Sequence, residues 1–597
     1  MSSPLYEALP LGDNGTRIRL LTLEPTKESQ SWVVCHIQAA RISDKPQYEA
    51  LSYYWGYETS SEKILIHQNE LMFEITVQSN LLSALRALRR ETIERVFWID
   101  AISIDQNNVE EKKQQVPLMK AIFSNCTEVI AWLGESDDNS EEVFGEIQKQ
   151  SKSYPRKLIK FLRRPWFRRV WIIQEVALAP KVRVQCGKSL ISWHQLMEYI
   201  SLVHYRRLQF NPFDSPDARH FHPAFFPITM DLAREKLQKK SGFSLREALR
   251  SFQPFGATEI LDKIYSVEGL LQEPSLVEPD YTKSAKIVYQ NAVVSIIRSE
   301  KKVDVFLDCF LRTKASGIPD LPSWVPDWSS IDQVVDNPGS FVTQEEVFSA
   351  SQETFIDRLE LLEDRELVVS GKIIGSIAEL GRQVPTARDL RHRYWPGVLT
   401  TKRPFDIATE AIETFQNWRD VARLPRIGCV RPDTEKYLTE ADKARQFTDA
   451  IRFLELTATV LDWYSRNILQ RLPWFAIWPI VGPLMVTMTF VILIRAFRGG
   501  FAVQIPDGPP DASRHGWVPG RTDSDLFGLF PAPDFTAEND VYSLVGDEIV
   551  LFKGGARPFV IRPCQNGRWH LIGSAFIHGI MFGGAFEEDN CIDIHLI

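Results

Sequence analysis

The sequence holds few of the features that announce a common chemistry. Its seven cysteines, Cys35, Cys126, Cys186, Cys309, Cys429, Cys564 and Cys591, lie far apart, with no CxxC pair for zinc or redox work. An odd, dispersed set reads as reduced thiols in a cytoplasmic setting. No run of Lys and Arg is long enough to track a phosphate backbone, and the formal net charge is −8, so nucleic-acid binding is not expected. Met1 to Thr16 lacks the apolar stretch of a secretory signal. GxGxxG, Walker A, HExxH and GxSxG are all missing, which leaves the nucleotide-loop, zinc-protease and hydrolase readings without support. No metal site is expected. The balance of 44% hydrophobic and 24% charged residues over 597 positions is that of an ordinary globular protein with material for a large core and several domains.

Apolar runs and helical spacings alternate through the first third. Residues 17–23 and 32–38 read as two short strands, and 48–54 as an apolar strand that stops at Gly56. Residues 63–66 and 71–77 suit a hairpin. Ser79 and Asn80 offer an N-cap to a helix over 80–90, whose Leu81, Leu82, Leu85 and Leu88 share a face. A buried strand over 95–100 runs into the polar turn Ser103–Asn108. A helix over 109–125 follows, with Pro117 inside it as a kink or a displaced start, then a strand over 128–133 stopped by Gly134. A helix over roughly 166–178 and a strand over 181–186 complete the pattern. Apolar strands joined by helices predict an α/β domain with a mostly parallel sheet covered on both faces. Ligands of such sheets sit beyond the carboxyl ends of the strands, which brings Ser52 to Gly56 and Asp100 to Gln106 to one crevice.

Residues 187–330 read as mainly helical, with a Phe/Pro/His-rich loop over 210–226. Leu321-Pro-Ser-Trp-Val-Pro-Asp-Trp328 suits a rigid surface clasp. A strand pair is expected over 366–377, charged helix over 405–471, and a small β-rich unit after 540. Leu472 to Ile494 runs 23 residues without a charge. As one helix it would reach roughly 35 Å, enough for a bilayer core of about 30 Å. Pro479, Gly482 and Pro483 would break that helix, so a membrane tether and a buried core segment both stay open. The expected division is thus 1–47 (strands packing on the next domain), 48–200 (α/β domain), 201–470 (mainly helical), 471–498 (hydrophobic segment) and 517–597 (β-rich unit).

Three blocks carry a family resemblance. They are Tyr48-Glu-Ala-Leu-Ser-Tyr-Tyr-Trp-Gly56; Phe97-Trp-Ile-Asp-Ala-Ile-Ser-Ile-Asp-Gln106 with Gln114 to Met119 and Val129 to Gly134; and Arg164-Pro-Trp-Phe-Arg-Arg-Val-Trp-Ile-Ile-Gln-Glu-Val-Ala-Leu178 with Cys186-Gly187. In order and spacing they resemble the fungal heterokaryon-incompatibility (HET) domain. Asp262-Lys-Ile-Tyr265, Leu321 to Asp327, Gly546-Asp547 and His578-Gly-Ile-Met581 resemble pieces common in long proteins of that family. The chain departs from the family pattern at Ser103, Pro117, Leu261 and Gly584. The resemblance implies a TIR/flavodoxin-like sheet and a role in self/non-self recognition and programmed cell death in a fungus. It also implies self-association through the domain, with another incompatibility protein as a candidate partner.

Some TIR domains cleave the nicotinamide–ribose bond of NAD with a helix-borne glutamate that follows a Trp-containing motif. By that likeness Glu175 is the candidate catalytic residue and NAD the candidate substrate. A fixed carboxylate suits the positive charge that develops on the sugar. Glu175 lies among apolar residues, and Trp171 four positions before it could wall a slot for a flat base. The other reading is an ion pair with Arg164, Arg168 or another core arginine. Asp100 is either a crevice ligand or a turn cap. Asp105 and Gln106 read as turn-formers or ligands, and Ser52, Trp55 and Gly56 as nucleotide contacts or packing. A Cys186–His194 nucleophile pair has no support beyond proximity in sequence. Two function classes follow: an effector enzyme, and a non-enzymatic adaptor acting by association.

Overall fold

The computed structural model describes residues 4–12, 16–28, 32–56, 61–149, 156–208, 223–311, 318–329, 348–362, 366–381, 517–531, 542–577 and 579–597. Two compact units divide the chain. The first comprises Met1–Ser299, Ser316–Asp320 and Asp327–Thr343, the second Glu300–Ala315, Leu321–Pro326 and Gln344–Ile597. The expected helix over 405–471 and the hydrophobic segment 472–494 lie outside the described residues. Among the described residues, no helix is long and apolar enough to cross a membrane.

The first unit is built on one nine-stranded sheet. Its strands are β1 (Arg17–Leu23), β2 (Val34–Arg41), β3 (Glu49–Tyr53), β4 (Ser61–Gln68), β5 (Leu71–Gln78), β6 (Arg95–Trp98), β7 (Val129–Trp132), β8 (Val182–Cys186) and β9 (Ser189–Ser192). They lie in the order β5-β4-β2-β1-β6-β3-β7-β8-β9. The pairs β6–β3, β3–β7 and β7–β8 are parallel, and β7 is buried at every residue, as a strand covered on both faces must be. These four strands run second, first, third, fourth in chain order, the order of one class of doubly wound sheet.

The sheet as a whole is mixed. The pairs β1–β2, β1–β6, β4–β5 and β8–β9 are antiparallel, while β2–β4 is parallel. Two-residue connections such as Asn69–Glu70 and Gly187–Lys188 leave no length for a crossover, so β5 and β9 must turn back on their neighbours. The expected mostly parallel sheet is therefore mixed, parallel across β6-β3-β7-β8 and again between β2 and β4. Strand β1 pairs directly with β6, Leu21 opposite Phe97, and so lies within this sheet.

The helices of the first unit are α1 (Pro4–Ala8), α2 (Ser79–Leu88), α3 (Asp100–Ser103), α4 (Val109–Gln115), α5 (Met119–Asn125), α6 (Asp138–Gln148), α7 (Arg156–Leu162), α8 (Trp171–Leu178), α9 (Trp193–Leu208), α10 (Phe225–Gln238), α11 (Leu245–Phe252), α12 (Asp262–Tyr265) and α13 (Ala285–Glu300). Pro117 sits in a 3-10 turn, Val116–Leu118, that separates α4 from α5, as its missing N–H requires. Asn108 caps α4 by accepting from the Glu111 N–H at 3.1 Å. Two expectations fail here. Gln78, not Ser79 or Asn80, is the N-cap of α2. Asn80 faces the strand ends instead, donating to Tyr54 O at 2.6 Å and accepting from Trp132 Nε1 at 2.9 Å. The Leu321–Trp328 block is no surface clasp, because Trp324, Val325 and Trp328 are fully buried.

The second unit carries β10 (Leu359–Leu361), β11 (Leu367–Leu380), β12 (Trp517–Thr522), β13 (Phe527–Pro531), β14 (Glu548–Phe552), β15 (Phe559–Pro563), β16 (Trp569–Ser574), β17 (Phe576–Ile577) and β18 (Ile592–Leu596). The path β14-β15-β16-β18-β11 closes because β11 also pairs with β14, Gly371 opposite Phe552. Closure removes those edges and buries Val369, Val550, Phe552, Phe559, Ile561 and Ile594. The middle helices and the β-rich C-terminus follow the expected pattern, but the strand pair expected over 366–377 is the single strand β11, which pairs with β10 before it.

Candidate functional site

The carboxyl ends of β3, β6 and β7 meet where the order of the parallel strands reverses, the place where doubly wound sheets bind ligands. Strand β3 ends there with Ser52 and Tyr53 buried, followed by Trp55 and Gly56, both half-buried. Strand β6 ends at Trp98, and Asp100 opens α3 one residue after the N-cap Ile99. Asp100 is thus the first residue of a helical turn and not the last of a strand. Its Oδ1 accepts from the Ala101 N–H at 2.7 Å and its Oδ2 from Trp55 Nε1 at 2.9 Å. Asp100 therefore bonds within its own turn and lies beside Trp55 at the strand ends. Burial raises its pKa despite the opposing charge of Arg169.

The expected helix over 166–178 is two pieces. Pro165–Arg168 is a 3-10 turn, and α8 begins at Trp171. Between them the backbone is taken by another segment: the Val170 N–H donates to Gly256 O at 2.9 Å and the Gly256 N–H to Arg168 O at 2.5 Å. This break turns the Arg169 guanidinium to the end of β3, where Nη1 donates to Tyr53 O. Trp166 reaches the same strand, its Nε1 donating to Ser52 Oγ at 2.9 Å.

Glu175 lies on α8 at 3% exposure. Its pKa is raised to about 7 by burial, with Asp100 adding to the rise; Arg169 and the Ser52 hydroxyl oppose it. Among the described residues its Oε2 has no hydrogen-bond partner. The arginine that faces Glu175 is neither Arg164 nor Arg168. Arg164 binds Leu133 O at 2.8 Å and Asp137 at 3.1 Å, and Arg168 lies over the Phe226 ring.

A third carboxylate completes the cluster. Asp262 opens α12, accepts from the Tyr281 hydroxyl at 2.8 Å and bonds the Trp171 side chain. Burial raises its pKa, and Arg169 again opposes the rise. Arg169 opposes the burial-raised pKa of all three carboxyls, Asp100, Glu175 and Asp262. Among the described residues no group of His, Cys, Asp and Glu side chains is placed to hold a metal ion.

The remaining candidates fall elsewhere. Asp105 is fully buried and accepts from the Asn107 N–H at 3.1 Å in its own turn. Gln106 Nε2 donates back to Asp100 O at 3.0 Å. Both shape the loop that carries Asp100. Buried Arg19 on β1 fixes that loop from below, donating to Ser103 O at 3.1 Å and pairing with Glu111 at 2.6 Å. Cys186 is buried, its thiol pushed up by burial, while His194 is exposed, so no nucleophile pair exists. The sequence pointed to Arg164, Arg168 or an unnamed core arginine in place of Arg169, and not to Asp262 or Tyr281 as site residues. The sole signal was Asp262-Lys-Ile-Tyr265, read there as a family fragment.

Comparison with known proteins bears on this geometry. Residues 48–175 match the family model described as heterokaryon incompatibility protein (HET). A curated protein of Neurospora crassa, "Heterokaryon incompatibility protein 6, OR allele", is 23% identical over 702 aligned positions, covering 99% of this chain and 98% of that protein. No solved structure matches. The matched segment holds the parallel strands β3, β6 and β7 and ends on Glu175, within α8. Residues 48–175 thus carry a HET domain, and the chain over nearly its whole length is similar to a heterokaryon incompatibility protein.

Proposed function

We propose that this protein is a heterokaryon-incompatibility-type self/non-self recognition and cell-death effector of a fungus, whose HET domain cleaves the nicotinamide–ribose bond of NAD. The observation that carries this reading is buried Glu175 at the strand ends, its Oε2 without a partner among the described residues, with Asp100 raising its pKa and Arg169 the opposing charge. Such an excess of carboxylates suits a cationic ring, and the pyridinium of NAD is one. Half-buried Trp55 and Trp171 offer flat faces beside it. In the reaction the C–N bond breaks and its electron pair leaves with nicotinamide. The ribose becomes an oxocarbenium-like cation, and water then adds to it and loses a proton. Glu175, ionised by the arriving positive charge, would hold that cation through its unpartnered Oε2.

Incubating the purified full chain with NAD and measuring nicotinamide tests this. Wild type should release it, and Glu175→Gln should slow release by about 10²–10³-fold, the usual cost of removing one electrostatic stabiliser. Equal release by the variant would overturn the assignment. The 3% exposure of Glu175 favours a second reading, in which Glu175 and Arg169 are structural and the domain signals by self-association, with another incompatibility protein as candidate partner. Self-association in light scattering, with no nicotinamide released by the associated wild type, would select it. A cytoplasmic location, with or without a tether at 472–494, belongs to either reading. Deleting 460–500 and fractionating cells tests the tether.

A further inference from the structure

Strand β5 lies at one end of the first sheet, paired with β4. The hairpin is closed by Asn69 and Glu70, with Asn69 at φ 56°, and Gln68 faces Leu71 across that loop. A two-residue loop closes on a hydrogen-bonded pair, so Leu71, Phe73, Ile75 and Val77 turn their N–H and C=O groups to β4. Met72, Glu74 and Thr76 then turn theirs outward. Among the described residues, no backbone group of 71–77 bonds outside the hairpin. An open edge of this kind templates pairing with another strand, and proteins usually blunt it with Lys, Pro, a bulge or a very short strand. None of these is present: β5 spans eight residues, LMFEITVQ, with an unbroken register on β4. Its sole charge, Glu74, is matched by Lys63 at 2.6 Å. Leu71 and Met72 are exposed, and Phe73 and Ile75 are only half-buried over the core.

We propose that β5 is a self-association edge: two copies of this chain join β5 to β5 antiparallel about a two-fold axis at Ile75, making one continuous sheet across the dimer. The inference deepens the reading of signalling by self-association and stands apart from NAD cleavage. The sequence of the strand selects that register. Outward groups must meet outward groups, which leaves only pairings that set even-numbered residues opposite one another. With the axis at Glu74 each carboxylate would face its copy, and a parallel in-register pairing would do the same; like charges directly opposite are destabilising. An axis at Phe73 or Thr76 shortens the paired stretch. With the axis at Ile75, Glu74 faces the second copy's Thr76, and the second copy's Lys63 stands next to that Thr76. On the core side Ile75 meets Ile75 and Phe73 meets Val77. The half-buried apolar residues thereby gain cover, Ile75 at a non-hydrogen-bonded pair, where side chains approach closest. A two-fold pairing of this kind uses the same patch on both copies and stops at two.

Sedimentation of the full chain over a range of concentrations tests this. Wild type should pass from monomer to dimer as concentration rises. Thr76→Glu, at an exposed position, sets a carboxylate against the other copy's Glu74 on both sides of the axis and should raise the dimer Kd by at least about tenfold. Adding Glu74→Lys should recover the dimer, because opposite charges then face each other across the interface, while Lys63 keeps the new carboxylate at position 76 directly opposite it on the neighbouring strand. A variant that merely failed to fold would not be recovered. Ile75→Cys should form a disulfide-linked dimer under mild oxidation beyond any that wild type forms, since a non-hydrogen-bonded pair sets its Cα atoms about 4.5 Å apart. A dimer untouched by Thr76→Glu, a loss that Glu74→Lys does not recover, or no added cross-link with Ile75→Cys overturns the β5 pairing and leaves self-association to another surface. A wild type that stays monomeric at every concentration overturns both and gives the edge to a strand of a different protein.

Discussion

Glu175 enters the folded protein at a disadvantage that depends on pH. Its pKa rises from 4.5 to about 7, with burial the first cause. Below about 4.5 the carboxyl is protonated whether the chain is folded or not, and it makes no difference to stability. Between there and about 7 the unfolded chain gives up the proton while the folded one retains it. Stability must therefore fall as pH rises through this window and level off above it. The displacement amounts to roughly 3 kcal/mol. Asp100 and Asp262 are raised as well and push in the same direction. Urea denaturation at pH 5 and pH 8 gives the check. Wild type should lose roughly 2.5 kcal/mol more than Glu175→Gln across that interval; equal losses would mean that the carboxyl is better hydrated or better paired than its surroundings indicate.

At the scale of elements, α8 shows what a sequence conveys and where it stops. Strands β3, β6 and β7 were legible because a parallel strand covered on both faces has to be apolar, and that constraint is local. The same strand ends brought Ser52, Trp55 and Asp100 to one end of the sheet, and the four-residue spacing put Trp171 and Glu175 on one helix. The break before Trp171 was not legible, because it is made by Gly256, far along the chain. Arg169 could not be identified as the shared cation before that break had aimed it. Asp105 and Gln106 sat in the right loop, but only side-chain bonds reveal that they shape it. The carboxyl end of α8 is a further case: its last carbonyls are met by Arg234, on a helix that begins after the matched segment. Arg234→Met keeps much of the side chain's bulk and removes those donors. Hydrogen bonds from a charged group contribute about 1.5–3 kcal/mol, so the variant should lose roughly 2–3 kcal/mol in urea denaturation. A loss below about 0.5 kcal/mol, the range of ordinary surface changes, would show that water replaces the cap.

The matched segment and the folding unit are different objects, and the difference can be measured. The family match stops at Glu175 with α8 unfinished, whereas the first compact unit runs on to Ser299 and takes in further residues after it. The continuation supplies more than a neighbour. Phe225, Phe226, Phe252 and Phe255 are all buried, with Phe226 edge-on to Phe255 at 5.0 Å and Arg168 over Phe226 at 5.5 Å. Trp193 on α9 donates to Asp231 on α10 at 2.8 Å, and Phe243 bridges to Leu271. A chain ended at residue 200 keeps every strand of the first sheet but loses α10, the Gly256 bridge and Asp262. Each large apolar side chain returned to water costs about 1.5–3 kcal/mol, against a net stability of about 5–15 kcal/mol for a whole domain. Uncovering the face of α8 that α10 packs on therefore removes most of the margin. Residues 1–200 expressed alone should show helix and strand in far-UV circular dichroism, bind a hydrophobic dye and melt without a cooperative transition. The full chain should melt cooperatively and bind little dye. A 1–200 fragment that melts sharply and leaves the dye unbound would mean that α8 closes the sheet by itself, and residues 225–281 would then be an addition to a finished domain.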